Sequence, residues 1–233
     1  MRKENKRLND VIVGIAMILI LAIGAIGAYF TSTDTATNVF TVGSVKIDLT
    51  EPNWDDSAEN ITPNQQILKD PMLTNESTGN DAFVFVKVTV PKKTIATAAT
   101  ETGVKADAAS TQLFQLNSTD NTGKGTGLSW NGTDTYNTSD WYLVKSDTTG
   151  TDNNVYVFAY GSKDACKALA ASKTTKPVFD SVTFCNAVEN DDIENASYSV
   201  LVEGYGIQTN DLTSSDKTAP ADVWAILTGQ LAA

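Results

Sequence analysis

Ala82-Phe-Val-Phe-Val-Lys-Val-Thr-Val90 is the stretch on which the fold turns. Successive side chains of a strand point to opposite faces. Val84, Val86, Val88 and Val90 therefore share one face, while Phe83, Phe85, Lys87 and Thr89 share the other. Pro91 is expected to end the strand, because it has no N–H to give to a ladder. On the N-terminal side, Val45, Ile47 and Leu49 alternate with Lys46 and Asp48, the period of a half-buried strand. Residues 65–74 read as a weaker strand, and Asp70-Pro71 within it implies an edge position or a bulge. On the C-terminal side, Trp141–Lys145 and Val155–Tyr160 form an expected antiparallel pair across a polar turn. The second of these is apolar on both faces, as a central strand should be. Val178–Cys185 and Ser197–Gln208 complete the strands.

The segments between are polar. Residues 92–110 are rich in Ala and Thr, with a short helix possible over Asp107 to Leu116. Residues 162–172 read as a short helix or loop. Thr218-Ala219-Pro220 supplies a cap and an early-turn proline for a short helix with Val223, Trp224 and Leu227 in a stripe, ended by Gly229. That helix is expected to lie against the sheets. Many strands separated by turns, with no alternating helices, indicate an all-β jelly roll or β-sandwich with short peripheral helices.

The beginning of the chain is of another kind. Arg2, Lys3, Lys6 and Arg7 precede an uncharged apolar run of 18 residues, Val11 to Ala28, closing on Gly24-Ala25-Ile26-Gly27-Ala28. A cationic head, a hydrophobic region and a small-residue end have the layout of a signal peptide. Cleavage is expected between Ala28 and Tyr29. The competing reading is a retained membrane anchor, since the run lies at the lower edge of the ~20 residues that span a bilayer. In both readings the rest of the chain is exported, because the positive charge lies on the N-terminal side. The expected division is a signal peptide over 1–28, an arm over 29–38 and a β domain over 39–233.

Composition narrows the function. Removing residues 1–28 takes away four basic and two acidic residues, leaving 13 basic against 26 acidic. So acidic a surface argues against nucleic acid as partner, since phosphates need Lys and Arg. The chain has no histidine. That removes the ligands of an H-E-x-x-H metallopeptidase and the base of a Ser-His-Asp triad. Carboxylates are plentiful, but no pair is marked out for glycoside hydrolysis, so no enzyme and no cofactor is expected. Glu189, Asp191, Asp192 and Glu194 crowd one loop in reach of a calcium ion, yet their spacing departs from an EF-hand and a solvated acidic loop explains them as well. Trp130, Trp141 and Tyr142 could stack on sugars, although strand aromatics belong to cores more often. Cys166 and Cys185 are the two cysteines; an exported pair is expected to form a disulfide worth roughly 3 kcal/mol. Two buried free thiols are the alternative. Zinc would lack ligands.

Three stretches carry a resemblance. Ala28-Tyr29-Phe30 is followed ten residues on by Phe40-Thr-Val-Gly43-Ser-Val-Lys-Ile-Asp-Leu49. Ile61-Thr-Pro63-Asn-Gln-Gln-Ile-Leu-Lys-Asp-Pro71-Met-Leu-Thr-Asn75 leads into the Phe83 strand, and Val202-Glu-Gly-Tyr205-Gly-Ile-Gln208 leads into the Trp224 helix. Together they resemble the TasA/camelysin family of exported proteins. The resemblance implies a jelly roll, processing by a SipW-type signal peptidase, and secretion to the cell surface or extracellular matrix. It also implies assembly of copies into biofilm-matrix fibres, through an N-terminal strand donated to the next subunit. Camelysin-type members have been classed as metallopeptidases, which the missing histidine disfavours here. A monomeric adhesin binding cell-wall or matrix polysaccharide is the other function such a chain could have.

The arm reads the same way from its residues. Thr31, Thr33, Thr35 and Thr37 share one face of an extended chain, and no Gly or Pro interrupts residues 29–40. Such a segment offers a full row of backbone donors and acceptors to an open sheet edge. Tyr29 and Phe30 would anchor it. A fraying tail or an edge strand of its own sheet are the simpler alternatives.

Overall fold

The computed structural model describes residues 45–54, 61–99, 102–119, 136–188, 193, 197–210, 212 and 217–231. Among these residues ten strands precede one helix: β1 (Ile47–Thr50), β2 (Gln66–Leu68), β3 (Met72–Asn75), β4 (Ala82–Ile95), β5 (Ala109–Gln112), β6 (Phe114–Asn117), β7 (Trp141–Asp147), β8 (Asn153–Tyr160), β9 (Ser181–Phe184), β10 (Leu201–Gln208) and α1 (Pro220–Leu231). The described fold is all-β, and every pairing in it is antiparallel. The largest sheet has the order β10-β4-β8-β7, with β5 joined to the far end of β4. A three-stranded sheet, β2-β9-β6, and a two-stranded one, β1-β3, complete the set.

The alternation in β4 governs the packing. Val84, Val86, Val88 and Val90 are fully buried, with Tyr156 and Phe158 of β8 on the same face. They meet Ile67 of β2, Leu73 of β3, Phe114 and Leu116 of β6, and Val182 and Phe184 of β9 in one apolar cluster. Each fully buried valine is worth about 1.5–3 kcal/mol relative to exposure, so this face dominates the stability. The opposite face carries Phe83, Phe85, Val157, Ala159 and Ile207, covered by Val223 and Leu227 of α1. The terminal helix thus lies against the large sheet, as its stripe implied. Pro220 opens it, and it runs through Gly229 to Leu231 instead of stopping there.

Three expectations are corrected. Pro91 does not end β4; the strand continues to Ile95. Pro91 is the last residue paired with β8, and Lys92 is the first paired with β5, so the missing N–H falls where the strand exchanges one neighbour for another. The segment 107–116 is not helical. Ala109–Gln112 and Phe114–Asn117 are strands on two different sheets, because β4 and β9 offer them open ladders. Residues 65–74 are not one interrupted strand either. At Lys69-Asp70-Pro71 the chain leaves the three-stranded sheet as β2 and re-enters as β3 beside β1.

That crossing is tied down by charge. Lys69, almost wholly buried, pairs with Glu51 at 2.8 Å and has its ammonium 4.5 Å from the centre of the Trp54 ring. Asp70 accepts hydrogen bonds from the backbone N–H and the side-chain amide of Asn53. A buried ammonium is tolerable only with such partners.

Candidate assembly edge

The large sheet ends in β10 on one side and β7 on the other. Leu201 to Gln208 pair residue by residue with Thr89 to Ala82 of β4. Among the described residues, no strand pairs the other side of β10. Among those residues its outer backbone groups form an open row, the kind that an added strand can join.

The flanks of β10 are built by its own residues and their neighbours. Gly204 and Gly206 stand opposite Val86 and Val84, on the face toward the main core. A Cβ at Gly204 would lie 2.6 Å from Leu73 Cδ2, and one at Gly206 would run into Ile47. The two glycines thus make room for Leu73 of β3 and Ile47 of β1 to press down on the sheet. On the outer face, Tyr205 meets Trp224 of α1 edge-on at 5.4 Å, and Trp224 also packs on Phe85 at 5.3 Å. Next along that face, Lys87 Nζ lies 2.7 Å from a Glu203 carboxylate oxygen, and the Tyr205 hydroxyl donates to the other at 3.1 Å. Hydrogen bonding to Glu203 raises the Lys87 pKa, and Lys87 lowers that of Glu203. Burial, reinforced by the same carboxylate, raises Tyr205. The strand thus shows a neutralised ion pair, two glycines and an exposed Leu201.

β7 is finished differently. Its register against β8 shifts between Leu143 and Lys145, a bulge at Val144. Lys145 and Ser146 are exposed, and the Asp147 carboxylate accepts hydrogen bonds from the Thr149 N–H and hydroxyl, which hold its pKa down. A bulge and an edge lysine are devices that stop a strand from pairing with another chain. Its other end is locked inward: Trp141 is buried, stacks edge-on with Tyr160 at 5.5 Å, and donates from Nε1 to the Lys176 carbonyl at 3.1 Å.

The residues singled out in the sequence fare unequally. The Ala28/Tyr29 junction and the arm residues Tyr29, Phe30, Thr31, Thr33, Thr35 and Thr37 lie outside the described residues. So do Trp130 and the acidic loop residues Glu189, Asp191, Asp192 and Glu194. Trp141 is no sugar-stacking side chain, because the core holds it; Tyr142 beside it is half-buried. The expected Cys166–Cys185 disulfide is not formed: both cysteines are free and buried. They sit on opposite faces of the large sheet, Cys166 with Phe83, Phe85 and the helix, Cys185 in the main core. Burial pushes Cys166 up to about 12 and Cys185 up to about 11, so both remain protonated thiols. The open β10 edge was not singled out from the sequence. Its signal was there in Gly204 and Gly206, since a glycine inside a strand pattern marks a close approach.

No family model, no curated protein and no solved structure matches this chain.

Proposed function

We propose that the chain is an exported, non-catalytic structural protein, a subunit of a biofilm-matrix or cell-surface fibre of the TasA/camelysin type. In this reading a SipW-type signal peptidase cuts between Ala28 and Tyr29, and the described sheets form a jelly roll. The freed arm, residues 29–38, of one copy then adds to the open edge of the next. The observation that carries the proposal is the unequal finish of the large sheet: β7 is bulged and charged, whereas β10 keeps an unpaired backbone row among the described residues. An extended, threonine-rich segment without Gly or Pro is the complement such an edge requires. The polysaccharide-binding adhesin has lost one of its aromatic candidates, since Trp141 is core.

Electron microscopy of the secreted protein over a concentration series tests this reading. Filaments are expected that disappear when residues 29–38 are deleted, and the secreted chain should begin at Tyr29. Protein that stays free of filaments at every concentration overturns the fibre, and chains recovered from membranes with Met1 intact overturn the cleavage.

A further inference from the structure

The sequence of β10 has a property that the fibre reading does not use. Leu201-Val202-Glu203-Gly204-Tyr205-Gly206-Ile207 can be laid antiparallel on a second copy of itself with a two-fold axis through Gly204. Leu201 then opposes Ile207, Val202 opposes Gly206, and Glu203 opposes Tyr205. Directly opposed side chains decide whether two strands tolerate one another. Here no like charges meet. Each Glu203 faces a tyrosine hydroxyl, the group it already accepts from within its own chain at 3.1 Å. Leu201, 54% exposed in the single copy, is set beside Ile207, which the helix already covers. Val202 arrives beside Ile47, which fills the space above Gly206. At the axis two glycines meet, so nothing holds the backbones apart.

We infer that β10 is the interface of a two-fold dimer of this chain, in which the large sheets of two copies continue through paired β10 strands. The surface is isologous, so it closes on itself and forms no filament. It shares with the fibre reading only the openness of the β10 edge. Under the fibre reading a donated arm and a second β10 need the same backbone row, so there the dimer is a resting form that assembly must open. Copies stored as pairs hide the edge until an arm displaces the partner strand.

Cross-linking in the full chain tests this, with the protein kept in mild detergent micelles so that the apolar segment 11–28 does not associate on its own. In the double variant Glu203→Cys/Tyr205→Cys, mild oxidation is expected to yield covalent dimers, since directly opposed Cβ atoms in such a pair lie about 4.5–5.5 Å apart, a small strand shift from the ~3.5–4.5 Å that a disulfide spans. Either single substitution should give several-fold less. The native thiols are buried, and the wild type is the control. Leu201→Lys changes an exposed side chain and should leave the fold intact. By setting an ammonium against Ile207 of the other copy, it should weaken the dimer at least about tenfold in sedimentation. The dimer is expected to persist when residues 29–38 are deleted. A wild type that sediments as a monomer throughout, or a double variant that cross-links no better than the singles, overturns the dimer. Filaments of the secreted protein together with no position-specific cross-links would leave the fibre standing and the dimer refuted, whereas cross-links together with no filaments of the secreted protein do the reverse.

Discussion

The two margins of the large sheet hold the same number of neighbours and are finished in opposite ways. β7 spends its residues on closure: Trp141 is driven into the core at one end, the register slips at Val144, and Lys145 and Asp147 crowd the rest with charge. β10 carries two glycines, one carboxylate already held by Lys87, and an exposed leucine. An unguarded margin is an aggregation hazard that proteins ordinarily blunt. Among the described residues one margin of the sheet is blunted and the other is not.

Substitutions at the two margins should therefore differ in kind. The largest loss of stability is expected from Trp141→Ala, about 3–5 kcal/mol in urea unfolding, because a buried indole and its bond to the Lys176 carbonyl disappear together. Leu201→Ala, on the exposed part of β10, should stay within about 0.5 kcal/mol. If the two proved equal, the contrast between a locked and an open margin would collapse. Next comes Gly206→Val. Ile47 occupies the space that a Cβ would need, so β1 must lift and about 1–3 kcal/mol is lost, visible as a lower midpoint in thermal unfolding.

A smaller effect sharpens the account of the ion pair. Glu203→Gln should lower stability at pH 7 by less than about 1 kcal/mol, because the pair is about one-third exposed and solvent screens it. The sign follows from the shifts. Glu203 is lowered, so its contribution is present above the ordinary carboxylate value of 4.5 and is lost as pH falls through its folded value. Lys87 is raised, so its contribution is present below 10.5 and is lost as pH rises past its folded value. The difference between wild type and Glu203→Gln should be flat between those limits and vanish in strong acid. The smallest change in stability belongs to Lys145→Val, within about 0.5 kcal/mol. That variant should nonetheless scatter more light on storage, because the β7 margin has lost its ammonium.

Much of the architecture was legible because burial imposes a period of two. The valine face of β4 could be read from alternation, the central position of β8 from apolar residues on both its faces, and the β7–β8 pairing from the polar turn between them. What could not be read depended on neighbours. Nothing local to Pro91 announces that β5 will take over from β8, and the Ala/Thr-rich stretch before Gln112 has no pattern that separates a weak helix from a strand summoned by an open ladder. Cysteine parity does not reveal which face of a sheet each thiol occupies, so the disulfide expectation failed on topology, not on chemistry. The candidate edge was half legible: the glycines mark contact from above, while the open side of β10 exists only once the order of strands is known.

The position of α1 bears on how the chain is made. Phe83, Phe85 and Ile207 are covered by Val223 and Leu227, which leave the ribosome more than a hundred residues after the two phenylalanines. Until then one side of the central sheet has no lid, and a nascent chain stays greasy and incompletely closed. Closure of that side of the sheet therefore waits until residues 220–231 have been made.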